Sequence, residues 1–251
     1  MLKVLYARFG ARTPRKAARA YSYCVECHGF EGPGDPSGAF PRLADQSAWY
    51  VDNSLRDFAS GLRPSKVMGP IAAELSEDEM LDVAAYYASL GSVPYPPELR
   101  HDEQLIERGR QIVEAGIPDP ALPACSSCHG ERALGNAPLY PYLAGQYEPY
   151  LEHQLRLFKA GKRGGDPLNV MHEIASQLSD EQIRAIAVYL ASLRPERTTP
   201  GDAAGRAAQV NRPEPLPMRT GAVMSPRPGD GDVVVPDASV SAPPVDPAQA
   251  R

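Results

Sequence analysis

Apolar residues through the middle of this chain recur three and four positions apart, the spacing that gives a helix one buried face. Met80, Val83, Ala84 and Tyr87 stand at i, i+3, i+4 and i+7 behind Ser76-x-x-Glu79, a capping box that marks a helix start. Ile183, Ile186, Ala187 and Leu190 repeat the arrangement behind Ser179-x-x-Gln182. Trp49, Tyr50, Leu55 and Phe58 form a stripe within 46–60. Further helices are predicted over 103–115 and 148–160, and another over 15–24. No segment alternates apolar and polar residues as a half-buried strand does. The predicted class is all-α.

The pattern occurs twice. Pro41-Arg42-Leu43-Ala44-Asp45-Gln46 returns as Pro141-Tyr142-Leu143-Ala144-Gly145-Gln146. Tyr50, Leu55, Phe58 and Gly61 return as Tyr150, Leu155, Phe158 and Gly161, and Met68, Ile71 and Leu75 as Met171, Ile174 and Leu178. The offset drifts from 101 to 100 and then to 103, so short loop insertions separate the copies. A period near 100 residues is a duplicated domain, since solenoid repeats run about 20–50 residues. The expected domains are 1–92, with a basic N-terminal extension, and 93–194, with the proline-rich stretch 91–97 where they join. A tail follows over 195–251.

Each copy carries a Cys-x-x-Cys-His string, Cys24-Val25-Glu26-Cys27-His28 and Cys125-Ser126-Ser127-Cys128-His129, and these use all four cysteines of the chain. Two thiols at that spacing can form thioethers with two porphyrin vinyl groups. The adjoining histidine then reaches the iron from the proximal side. One such string also fits a zinc half-site or a thiol redox pair. Two, in matching surroundings, argue for two covalently bound haem c groups. A domain of roughly 100 residues has a thin core, so the porphyrin is expected to supply much of it and folding to depend on haem.

Each iron needs a second axial ligand. Met68 lies 40 residues after His28 and Met171 lies 42 after His129. A methionine beside an apolar helix ordinarily fills a gap in the core. These two, however, follow similar loops and precede a capped helix at the same distance. Of the other four methionines, Met1, Met218 and Met224 are near the ends and Met80 is inside a helix stripe. The predicted axial pairs are therefore His28 with Met68 and His129 with Met171. His172 is a rival for the second iron, but the first copy has Gly69 there. Pro41 and Pro141 follow the histidines by 13 and 12 residues and are predicted to accept the other ring N–H, which fixes the imidazole. The same positions also suit a rigid turn. Gln46, Trp49, Tyr50, Gln146 and Tyr150 suit either haem propionates or the core, and His101 and His153 read as exposed.

Charge adds mainly exclusions. The net charge is −5, with both signs spread evenly, and no basic stripe with interleaved aromatics points to nucleic acid. No run of about 18 apolar residues could span a membrane. Residues 1–20 hold six basic side chains and no acid, but lack the apolar stretch of a secretory signal. Eleven prolines from Pro195 onward predict a disordered tail.

With C-x-x-C-H-G in each half, P-x-L-A-x-Q, a Tyr-x-x-x-x-Leu-x-x-Phe helix and a final Ala-Ser-Leu, residues 17–193 resemble the class I c-type cytochromes, in particular the dihaem cytochrome c4 family. The resemblance implies two His/Met haem domains packed about a pseudo-two-fold axis. It implies an electron carrier, not an enzyme, working between quinol-oxidising complexes and terminal oxidases or reductases. With both axial positions filled, no small-molecule substrate reaches iron, and methionine ligation raises the potential. The alternatives are a cytochrome subunit of a dehydrogenase with a flavin- or quinone-bearing partner, and a dihaem peroxidase, which needs one openable iron. Covalent haem attachment takes place outside the bacterial inner membrane, so a periplasmic protein is expected although no signal peptide is evident. A basic anchor on the inner membrane surface is the alternative.

Overall fold

A serine side chain starts the last helix of each repeat. In a computed structural model, which describes residues 23–90, 93, 95, 101–118, 122–136 and 139–195, the first repeat contains α1 (residues 23–28), α2 (Ala48–Ser60), α3 (Met68–Ala73) and α4 (Glu77–Ala88). The second contains α5 (Glu103–Ala115), α6 (Ser126–His129), α7 (Glu148–Lys159), α8 (Val170–Ser176) and α9 (Asp180–Ser192). Most of the predicted helix 15–24, the basic extension, most of the linker and the tail lie outside the described residues. Among the described residues the only β pairing is two isolated bridges, Ile117 with Leu122 and Asn136 with Tyr140.

Both capping boxes form. Ser76 and Glu79, and Ser179 and Gln182, each exchange side-chain bonds with the other's backbone N–H. Helix α2 begins two residues later than its pattern predicts, because the Ser47 hydroxyl accepts from the Tyr50 N–H and so caps the helix. Helices α3 and α8 were not predicted. At six and seven residues they are too short to show a period.

Each repeat has its own core. Helix α2 packs on α3 and α4, α7 packs on α8 and α9, and α5 crosses α9. Val51, Leu55, Met80, Val83 and Tyr87 fill the first core, and Ile112, Val113, Leu151, Ile183 and Ile186 the second. Met80 is therefore a packing residue, as its stripe predicts.

The P-x-L-A segments are fastened identically. The Gly32 carbonyl accepts from Leu43 and Ala44 N–H, and the Ala133 carbonyl accepts from Leu143 and Ala144 N–H. The next residue donates to the last helix, Asp45 to Tyr87 O at 3.0 Å and Gly145 to Leu190 O at 2.8 Å. Both residues turn through left-handed backbone, at φ 67° and 66°. Asp tolerates this at position 45. At position 145 a Cβ would lie 2.3 Å from the Tyr95 ring, so only glycine fits. Tyr95 belongs to the linker, where Arg42 stacks over its ring at 5.2 Å, donates to Val93 O at 2.9 Å, and so ties linker to loop. No helix among the described residues is long and apolar enough to cross a membrane.

Candidate haem sites

The two Cys-x-x-Cys-His strings occupy matching helical turns, α1 and α6, with all four cysteines half-buried. Burial pushes the Cys24 and Cys125 thiols up to about 11. At these two positions burial disfavours the thiolate that thiol redox chemistry and zinc binding both need. Among the described residues no three His, Cys, Asp or Glu side chains gather to hold a bare metal ion. The strings are thus poor zinc or redox sites.

His28 and His129 are buried, 6% and 7% exposed. Burial lowers both imidazole pKa values, and each ring's bond to a backbone carbonyl opposes that only in part, so both are neutral at pH 7. His28 Nδ1–H donates to the Pro41 carbonyl at 2.9 Å, and His129 Nδ1–H donates to the Pro141 carbonyl at 3.0 Å. That leaves Nε2 as the lone-pair nitrogen in each ring, the state an iron ligand requires.

Met68 and Met171 are half-buried at the starts of α3 and α8. An upstream side chain holds each amide: Met68 N–H donates to Ser65 Oγ at 3.0 Å, and Met171 N–H to Asp166 Oδ2 at 2.7 Å. Sequence reasoning missed Ser65 and Asp166, since the two copies use different residues for one task. The His172 ring is fixed by its Nδ1–H donating to Phe158 O at 2.8 Å. His153 is exposed as expected, but His101 is half-buried, with Glu148 at the start of α7 3.3 Å away.

A second unpredicted pair lies between the repeats. Arg63 is buried and donates to Tyr150 OH at 2.6 Å and to Gln154 Oε1 at 2.9 Å. Arg163, also buried, donates to Tyr50 OH at 2.9 Å and to Gln154 Oε1 at 2.6 Å. Each guanidinium stacks on a phenylalanine of its own repeat, Phe58 or Phe158, at 4.4 Å. The repeated Phe-x-x-Gly-x-Arg was the signal that could have found them. Burial alone would raise the Tyr50 phenol, but Arg163 and Arg63 bring it down to about 8. The carboxylates of Asp57 and Asp166 lie near these two guanidinium groups, yet Arg163 Nε is buried without a hydrogen-bond partner. Haem fits the open Arg163 N–H and the two neutral imidazoles, for it would bring anionic propionates together with iron. Tyr50 and Tyr150 are thus spent on arginines. Gln46 and Gln146 are spent on backbone of the opposite repeat: Gln46 on Tyr142, and Gln146 on Arg42. The exchange is reciprocal, as pseudo-two-fold symmetry requires.

Known proteins agree with this geometry. The family model described as cytochrome c matches residues 106–194, and that described as cytochrome c oxidase, cbb3-type, subunit III matches residues 11–86. The chain is 36% identical over 182 residues to the thiosulfate dehydrogenase electron acceptor of Thiomonas intermedia, covering 72% of this chain and 82% of that protein. It is 34% identical over 178 residues to cytochrome c4 of Thiocapsa roseopersicina, covering 70% of this chain and 90% of that protein. The solved structure of reduced cytochrome c4 from Pseudomonas stutzeri superposes with a TM-score of 0.63 at 29% identity, covering 71% of this chain and 98% of that one. With two covalent haem c sites in two cytochrome c domains, and relatives that match across both, this chain belongs to the dihaem cytochrome c4 family of electron carriers.

Proposed function

We propose that His28 and Met68 ligate one iron and His129 and Met171 the other, with Cys24, Cys27, Cys125 and Cys128 carrying the thioethers. The chain then exchanges electrons and catalyses no reaction of its own. When bound, each haem supplies one Fe(III)/Fe(II) couple. The protein's part is to fix both axial ligands and to bury the rings, so that little reorganises when the charge changes. The observation that carries this reading is the duplication of one arrangement: a neutral buried imidazole with Nδ1–H already committed, and a methionine whose amide is held by an upstream side chain. Met171 is favoured over His172 because the first repeat has a methionine at the one position and Gly69 at the other. Pro41 and Pro141 orient the histidines. We place the domain boundary at 92/93, within the linker.

The partners are redox proteins. The relative from Thiomonas intermedia, named as an electron acceptor, supports a second reading in which this chain accepts electrons from a dehydrogenase and passes them on. Covalent haem attachment supports a periplasmic location, with a quinol-oxidising complex as the alternative donor and a terminal oxidase or reductase as acceptor. The test is the purified holoprotein. Mass spectrometry should find two haem additions per chain, and both ferrous haems should be low-spin and nearly inert to carbon monoxide at neutral pH. Rapid stoichiometric carbon monoxide binding at one haem, with peroxide turnover, would instead establish a peroxidase.

A further inference from the structure

We propose that each domain sets the redox potential of the other domain's haem through one buried side-chain amide: Gln146 acts on the N-terminal iron and Gln46 on the C-terminal iron. The inference rests on His28 and His129 being the axial histidines.

The connection is a continuous chain of hydrogen bonds through a single peptide group. His28 Nδ1–H donates to Pro41 O at 2.9 Å. The N–H of that same Pro41–Arg42 peptide donates to Gln146 Oε1 at 2.9 Å. In the other direction, His129 Nδ1–H donates to Pro141 O at 3.0 Å, and the N–H of the Pro141–Tyr142 peptide donates to Gln46 Oε1 at 3.0 Å. Each amide closes a ring by donating its Nε2–H back to the next carbonyl, Gln146 to Arg42 O and Gln46 to Tyr142 O, both at 2.9 Å.

The side-chain orientations are unambiguous. Each Oε1 also receives the N–H of the following residue, Tyr147 or Ser47, at 3.0 Å, while each Nε2 faces a carbonyl. A flipped amide would set donor against donor and acceptor against acceptor. Both glutamines are nearly inaccessible, 8% exposed for Gln146 and 7% for Gln46, so water does not screen the chain.

The physical consequence has a definite sign. A peptide whose N–H is hydrogen-bonded is polarised, which makes its carbonyl a stronger acceptor. A stronger acceptor at Nδ1–H makes the imidazole a better donor to iron. That favours the ferric state and holds the potential down. Removing the glutamine amide should therefore raise the potential of the haem in the opposite domain. A contact between domains that merely glued them together would have no such directionality.

The experiment is spectroelectrochemical titration of the full-length holoprotein. Each haem is identified in NMR spectra of the ferrous protein by the ring-current-shifted resonances of its axial histidine. Gln146→Met keeps the side chain's length and loses its hydrogen bonds. It should raise the N-terminal potential and leave the C-terminal one close to wild type, while Gln46→Met should do the reverse. Tyr147→Phe removes another bond across the same seam, Tyr147 OH to Pro33 O at 3.0 Å, without touching the chain, and should move neither potential. Gln146→Glu keeps the acceptor for Arg42 N–H, so the N-terminal potential should not rise. The proposal is overturned by an equal shift of both haems in Gln146→Met, by a shift confined to the glutamine's own domain, by no shift, or by a rise in Gln146→Glu. Should the wild-type protein lack a ring-current-shifted His28 or His129, the ligand reading itself fails and this proposal falls with it. Intact histidine resonances beside unmoved potentials overturn the glutamine proposal alone.

Discussion

Replacing Gly109 with alanine sets two opposing effects against each other. In an open helix the change would stabilise by roughly 1 kcal/mol, because glycine has more freedom to lose. Gly109 instead lies where α5 crosses α9, and a Cβ there would sit 2.0 Å from Ala185 O, 2.6 Å from Tyr189 Cβ and 2.7 Å from Ala185 C. The nearest obstacle is backbone, so no rotamer change relieves it. Restoring an ordinary contact of about 3.4 Å means opening the crossing by about 1.4 Å. A gap of that size forfeits much of the dispersion energy between Ile112, Val113, Ile186 and Tyr189, which fill the seam. Overpacking of this kind costs about 1–3 kcal/mol before the lost contacts are added. We expect a net loss of about 2–4 kcal/mol after the helix gain is subtracted. Guanidinium unfolding of the holoprotein, followed by circular dichroism and haem absorbance, should show a lower midpoint with an unchanged slope. The C-terminal haem should lose its native spectrum first. A Gly109→Ala protein as stable as wild type would show that the crossing is loose and the argument wrong.

Met171→Ala should open the second iron to carbon monoxide, whereas Met171→His should keep it low-spin at a markedly lower potential; either variant should halve any methionine–iron absorption. A silent Met171→Ala beside an altered His172→Ala would reassign the ligand. Burial raises the Asp57 carboxyl to about 6, Arg63 and Arg163 offsetting only part of this. The folded protein therefore binds this proton more tightly than the unfolded chain, and Asp57's contribution is full below about pH 4 and lost as pH rises through about 6. Asp57→Asn should flatten stability across that window, as read by unfolding at several pH values. An unchanged slope would place the titration elsewhere. Ser179→Ala removes the acceptor for Gln182 N–H at 3.1 Å and should cost about 1 kcal/mol in the same unfolding assay. A change within error would mean that solvent replaces the cap.

The features legible in the sequence are those whose partners lie close along the chain. Cys24, Cys27 and His28 are fixed in mutual reach by one helical turn, and Ser76 and Glu79 cap each other across three residues, so connectivity alone nearly determines their geometry. Helix period marked Met80 as core, and the thirteen-residue return from His28 to Pro41 was short enough to foresee. The seam was not legible. Arg63 meets Tyr150 across 87 residues and Gln46 meets Tyr142 across 96, and both repeats carry these residue types without saying which copy of each will pair. A duplicated sequence specifies two similar domains, but their relative orientation depends on which faces bury together. A glutamine therefore reads as an ordinary polar position until the fold brings the other domain's backbone to it. Local hydrogen bonds follow from chain geometry, whereas the bonds that join the two haem domains follow from a packing choice that only the tertiary structure makes.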